Sequence, residues 1–229
     1  MNQDFVCASD ESVGNLPNLY LLADGMGGHQ AGDFASRYTV RETLRHAGAS
    51  TKTDPIEIIT DALHAVNANL HETALSREDL LGCGTTIVAA TVQGDVLRTA
   101  NVGDSRLYLL GEDSIRQVTV DHSLVEEMVL AGSLDASRAR NHPDKNIITR
   151  AVGVEEYIDV DFFTTRLCPG DLILMCSDGL TNMVEDEEIL RLVRSKDSLD
   201  SMAAALIQAA NRRGGLDNIS VILVDAFAS

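Results

Sequence analysis

Apolar residues in this chain gather in short runs separated by polar stretches, and the spacing within the runs alternates between two periods. Asn18–Ala23, Thr85–Val92, Val96–Ala100, Arg106–Leu110, Ile158–Thr164, Asp171–Cys176 and Ile219–Ala226 are compact and rich in branched residues, and read as strands. The five residues from Asn101 to Ser105 predict a hairpin-like connection between two of these runs, with Gly103 at the tight bend. Elsewhere the period lengthens to that of a helix. Asp54 is placed as an N-cap, Pro55 suits the first helical position, and Glu57 completes a capping-box spacing. Ile56, Ile59, Leu63, Val66 and Leu70 then form one apolar stripe. A second helix is predicted over Ala31–Ala47. A third covers Leu199–Asn211, with Met202, Leu206 and Ala210 inward and Gly214-Gly215 ending it. Strands in consecutive runs and helices in pairs favour an α+β fold with mainly antiparallel sheets over a doubly wound one.

The segment Asp121–Gly153 has its own pattern. A short amphipathic helix through Leu124, Val125, Met128 and Val129 stops at Gly132, and a polar stretch follows over Ser133–Lys145. It reads as a mobile flap inserted between sheet elements, although its composition fits a plain surface loop equally well.

With 229 residues, 45% of them apolar, the chain is long enough for one domain with a sizeable core, and no repeat or Pro-, Gly- or Ser-rich linker divides it. No apolar run reaches the length of a membrane span, and the N-terminus has no basic start followed by an apolar stretch. The expectation is a cytoplasmic protein with no membrane partner. A net charge of −17 repels nucleic acid over most of the surface and favours a monomer. Solubility explains much of that charge, but some of the acids could hold cations. Cys7, Cys83, Cys168 and Cys176 show no C-x-x-C spacing, so neither a zinc knuckle nor a disulfide framework is indicated. Cys168 and Cys176 lie in or beside apolar runs and read as reduced core thiols.

Four acids share one placement. Asp24, Asp104, Asp178 and Asp217 each stand at the end of an apolar strand or just before the start of one, and Asp4 is a fifth of the same kind. A turn cap explains any one of them. A converging set is different, because two carboxylates about 4 Å apart repel by roughly 4 kcal/mol at an effective dielectric of 20. Such a set must protonate or bind cations, and oxygen donors without His or Cys select Mg²⁺ or Mn²⁺ over Zn²⁺. Gly25, Gly27, Gly28 and Gly179 beside these acids leave the backbone open to an ion or a phosphate. Two ions among carboxylates suit phosphoryl transfer to water. Competing signatures are missing from the sequence: no G-x-S-x-G, no P-loop, no Cys followed by five residues and Arg, and no Gly-Asn-His.

Asn2-Gln3-Asp4, Ala23 to His29, Gly84-Thr85-Thr86, Ala100 to Arg106, Asp121-His122-Ser123, Ile148 to Gly153, Cys176 to Leu180 and Asp217 to Ser220 follow one another in a distinctive order. The series resembles the metal-dependent protein phosphatases (the PPM, or type 2C, family), its bacterial branch in particular, from the first residue to about Val224. The resemblance implies a four-layer α-β-β-α sandwich with a metal cleft at one edge of the two sheets. It implies hydrolysis of phosphoserine and phosphothreonine on proteins, opposing a bacterial Ser/Thr kinase. Asp24 would bridge two Mn²⁺ or Mg²⁺ ions, the Gly25 carbonyl would bind one, and Asp178 and Asp217 would complete the pair. Catalysis would run through metal-bound water held by Asp24, Asp178 and Asp217. Asp4 would hold metal-bound water, Asp104 with Asp178 would hold a third, weaker ion, and Thr149-Arg150 would be structural.

One departure stands out. The family carries a phosphate-binding Arg a few residues before the Asn-Gln-Asp motif, whereas Met1 directly precedes Asn2 here, so that Arg and much of a first strand are not in this sequence. This motivates an alternative, a phosphatase-like binding or regulatory module. His122 reads as structural, His46, His64 and His71 as solvated helix faces, Arg37 as a salt-bridge partner, and His29 as a less favoured general acid.

Overall fold

The computed structural model describes residues 1–227, the side chain of His29 excepted. The strands β1 (Asp4–Ser9) and β2 (Leu19–Met26) lead into two long helices, α1 (His29–Ala49) and α2 (Pro55–Ser76). Next come β3 (Gly84–Thr85), β4 (Ile87–Gln93), β5 (Val96–Val102), β6 (Arg106–Leu110) and β7 (Ile115–Gln117). The flap holds α3 (Leu124–Leu130) and α4 (Ala136–Ala139), and the chain finishes with β8 (Asp161–Arg166), β9 (Leu172–Cys176), α5 (Asp178–Thr181), α6 (Asp186–Arg194), α7 (Leu199–Arg212) and β10 (Val221–Asp225).

The strands form two sheets, ordered β1-β2-β4-β5-β8, with β3 also on β2, and β10-β9-β6-β7. Neighbours in both sheets run antiparallel. Successive side chains of a strand point to opposite faces, and here both faces are buried. In β2, Leu19, Leu21 and Ala23 pack with Val40, Ile58 and Leu63 of α1 and α2. Tyr20 and Leu22 point the other way and meet Leu107, Ile173, Met175 and Ile222 of the second sheet. On the far side of that sheet Leu172, Leu174 and Cys176 pack with Ile189 and Leu206 of α6 and α7. The result is a four-layer α-β-β-α sandwich, as the resemblance implied.

The α2 start is built as its sequence predicts: the Asp54 carboxylate accepts from the backbone N–H groups of Ile56 at 2.7 Å and Glu57 at 3.4 Å. Other expectations need correction. The Asn101–Ser105 connection is not a hairpin. Strand β5 pairs with β4 and β8, while β6 belongs to the other sheet, so the connection crosses between sheets. Gly103, at φ +106°, makes the turn, and Thr86 lies so close that a Cβ there would sit 2.6 Å from it. Residue-by-residue pairing of β1 with β2, beginning at Asp4↔Asp24, was not anticipated. Helix α6 was missed: Ile189, Leu190, Leu192 and Val193 keep a helical spacing, but over only nine residues. Cys176 is a core thiol, but Cys168 is exposed.

The flap is pinned at both ends. Arg106 grips Asp121 with its Nε at 2.9 and 3.0 Å and its Nη2 at 2.6 Å, and the Asn67 side chain accepts from the Gly153 N–H at 2.7 Å. His122 is structural, as expected: its Nδ1 accepts from the Gly103 N–H at 3.1 Å, which leaves Nε2 to donate to Asp161 at 3.1 Å. Arg150 joins the same Asp161 at 3.0 Å, and Arg37 pairs with Asp33 at 2.6 Å.

Candidate active site

Directly opposed residues of an antiparallel pair carry their side chains on one face, so the Asp4↔Asp24 register sets these two carboxylates side by side. The backbone of Asp24 is held on its other flank. Its N–H donates to Thr86 Oγ1 at 2.9 Å, and its carbonyl accepts from the Thr86 N–H and the Thr85 hydroxyl, both at 2.8 Å. The second sheet delivers the remaining acids. Asp178 opens α5 immediately after β9, and Asp217 lies just before β10, which pairs with β9. Asp104 sits on the crossover from β5 to β6. Gly25 follows Asp24 where α1 packs closest, and a Cβ at Gly25 would stand 2.0 Å from the Gly32 carbonyl oxygen. No other residue fits there.

Together Asp24, Gly25, Asp104, Asp178 and Asp217 line a cleft of about 320 Å³, whose walls also include Gln3, Thr86, Asn146 and Ile148. Asp4 does not line it. Only 4% exposed, it lies behind Asp24 and accepts from the Ser177 hydroxyl at 2.8 Å. A second cavity of about 400 Å³ adjoins the first, shares Asp104 and Asp178 with it, and runs between the flap and α5 and α6.

The charges are crowded. Burial, and then the charges of Asp4, Asp178, Asp104 and Asp217, hold the Asp24 carboxyl far above the usual carboxylate range. Asp4 is also raised, by burial first. Burial, then the charges of Asp178 and Asp121, push Asp104 up to about 7. Asp178 is raised by burial, then by Asp217 and Asp4, with Lys145 acting in the opposite sense. Two of these acids keep a buried oxygen with no hydrogen-bond partner, Asp4 Oδ1 and Asp178 Oδ1, as does Gln3 at Oε1.

Orphaned carboxylate oxygens, mutual repulsion and an all-oxygen donor set fit hard divalent cations. Among the described residues no three His, Cys, Asp or Glu side chains close around one point in the manner of a protein cage. The acids are spread along a cleft, an arrangement suited to ions that keep several of their own waters, as Mg²⁺ does.

All of the acids singled out in the sequence therefore meet in one region. Missed there were the residues that hold them: Thr86 for Asp24, Ser177 for Asp4, and Asn182, whose Nδ2 donates to Asp178 Oδ2 at 2.9 Å. Thr86 and Ser177 lay inside quoted motifs, but neutral side chains gave no chemical signal of their own.

The family model for protein phosphatase 2C matches residues 1–221. Serine/threonine phosphatase stp of Listeria welshimeri is 44% identical over 219 residues, 94% of this chain and 86% of that protein. Serine/threonine phosphatase Stp1 from Staphylococcus aureus superposes with a TM-score of 0.92 at 33% identity, covering 100% of this chain and 90% of that one. The catalytic domain of the serine threonine protein phosphatase PstP, solved with two manganese ions, gives a TM-score of 0.85 at 31% identity, with 98% and 91% covered. A sandwich of this order, with carboxylates from both sheets gathered at one cleft and a sequence match along nearly its whole length, leads to one conclusion: the chain belongs to the protein phosphatase 2C family and is a metal-dependent protein serine/threonine phosphatase.

Proposed function

We propose that the dephosphorylation centre is the 320 Å³ cleft, with Asp24, Gly25, Asp178 and Asp217 holding two Mn²⁺ or Mg²⁺ ions, and Asp104 with Asp178 a third and weaker one. The carrying observation is Asp24, buried among four other carboxylates and fixed by Thr85 and Thr86. When bound, the ions supply an acidified water as nucleophile and positive charge against the phosphoryl oxygens. The residues of the chain do the rest. Asp24 and Asp178 face the cleft in fixed positions, and Asp4 stands behind Asp24 as an acceptor for water at the floor of the site. Asn146 and Ile148 bring the flap to the cleft mouth, where a phosphorylated protein segment would enter.

The substrates on this reading are phosphoserine and phosphothreonine proteins, a Ser/Thr kinase that it opposes among them. The −17 charge suits a monomer that meets neither nucleic acid nor anionic membrane, and no described helix is long and apolar enough to cross a membrane. We place its work in the cytoplasm. Calorimetric titration of metal-stripped protein with Mn²⁺ tests the assignment. Two tight ions in the wild type and none in Asp24→Asn are expected, whereas two ions retained by Asp24→Asn would overturn it.

A further inference from the structure

Asn182 caps the C-terminal end of helix α5, one turn beyond Asp178. The Asn182 N–H closes that turn on the Asp178 carbonyl at 2.7 Å, so the two side chains stand on the same flank of the helix. Asn182 Nδ2 donates to Asp178 Oδ2 at 2.9 Å, and Asn182 Oδ1 accepts from the flap's Lys145 Nζ at 2.9 Å. Because a carboxylate only accepts and an ammonium only donates, the amide has one permitted orientation. Asp178 Oδ2 is thereby occupied. Its partner Oδ1 is the buried oxygen with nothing bound to it, on a residue that lines the cleft.

We propose that Asn182 is a positioning residue for the metal ligand Asp178 and that Lys145, reaching across from the flap, locks the Asn182 amide in its working orientation. The proposal rests on the metal-centre reading above. Lysine or arginine at 182 would offer Lys145 no acceptor, and an aliphatic residue would release both partners. Lys145 is followed by Asn146 and, two residues further on, Ile148, both in the cleft wall, so the latch also registers the flap against the cation site.

The two roles of Lys145 oppose each other, and that makes the proposal testable. As a bare positive charge beside the site, Lys145 would disfavour a divalent cation, and Lys145→Met would tighten Mn²⁺ binding. As half of a latch, it would favour the cation through Asp178, and Lys145→Met would weaken binding. The experiment is a double-mutant cycle on the whole chain: Mn²⁺ affinity by calorimetry for wild type, Lys145→Met, Asn182→Leu and the double variant, with circular dichroism confirming each fold and Asn182→Ala standing in if Asn182→Leu fails to fold. We expect Asn182→Leu to weaken Mn²⁺ binding about tenfold, the range found when a ligand's hydrogen-bond partner is removed. Lys145→Met should weaken it several-fold, and the double variant should be little worse than Asn182→Leu. Turnover of p-nitrophenyl phosphate by Asn182→Leu should return once Mn²⁺ is raised to saturation. Tighter or unchanged binding in Lys145→Met, additive losses, or turnover that stays lost at saturating Mn²⁺ would each overturn the latch while leaving the metal centre standing. A wild type that takes up no Mn²⁺ would overturn both.

Discussion

The Ser177 hydroxyl donates to Asp4 Oδ2 at 2.8 Å, across 173 positions of sequence. It ties the end of β9 in one sheet to the first residue of β1 in the other, at the point where both sheets deliver acids to the cleft. The Ser177 Oγ also accepts from the Ser220 N–H at 3.0 Å, and the Asn218 carbonyl, at 3.4 Å, is a longer acceptor for its hydrogen than Asp4. Ser177→Ala removes a side-chain donor from a carboxylate that is 4% exposed. A loss of about 1–3 kcal/mol in urea unfolding is expected, together with weaker Mn²⁺ binding. Wild-type stability and affinity in that variant would show that the contact between the sheets is incidental.

The crowded acids make the metal-free protein sensitive to pH in a defined direction. Asp104 titrates at about 7 when folded, above its ordinary 3.8, so the folded state holds a proton that the unfolded state has released. Between about pH 4 and pH 7 the stability of the metal-free protein therefore falls as pH rises, by at most about 4 kcal/mol from this group. Asp104→Asn removes that share. In EDTA the variant should be more stable than wild type at pH 8 and show a shallower decline from pH 5 to 8, while its phosphatase activity drops. Equal slopes for the two proteins would rule out Asp104 as a source of the strain.

Added Mn²⁺ should reverse the trend. The ions need ionised ligands, so the rise in melting temperature on adding Mn²⁺ should grow from pH 5.5 to pH 8. A rise that shrinks with pH over this range would point to ions bound away from these acids.

Arg106 and Asp121 pin the entry to the flap, with side chains 26% and 11% exposed. Arg106 also donates to the Tyr108 hydroxyl at 2.8 Å, and that hydroxyl donates to Asp186 at 3.2 Å. Arg106→Met leaves Asp121, among the described residues, with the Gln117 amide as its remaining side-chain donor. A loss of about 3 kcal/mol is expected, read by denaturant unfolding. A loss below 0.5 kcal/mol would mean that solvent takes over the role of Arg106.

What the sequence disclosed depended on whether a feature was local. Strand β2 was legible because burial on both faces leaves an unbroken apolar run, and α2 because its cap and stripe lie within one segment. The five acids were legible because aspartate is a poor strand residue and each of these sits against a strand. The β5–β6 connection was misread because Gly103 reports a bend and says nothing about which sheet the next strand joins. Ser177 and Lys145 could not be assigned, since their partners lie 173 and 37 positions away and only the folded chain brings them together. Asn182 is only four residues from Asp178, yet a neutral amide after a short helix looks the same whether or not it serves a metal ligand.

The most direct measurement is hydrolysis of a phosphothreonine peptide by protein stripped of metal and then supplied with Mn²⁺, wild type beside Asp178→Asn. Turnover should appear only with the ion, and Asp178→Asn should lose roughly a thousandfold or more while circular dichroism shows an intact fold. Undiminished turnover by Asp178→Asn, or turnover by the stripped protein, would place the chemistry somewhere other than this cleft.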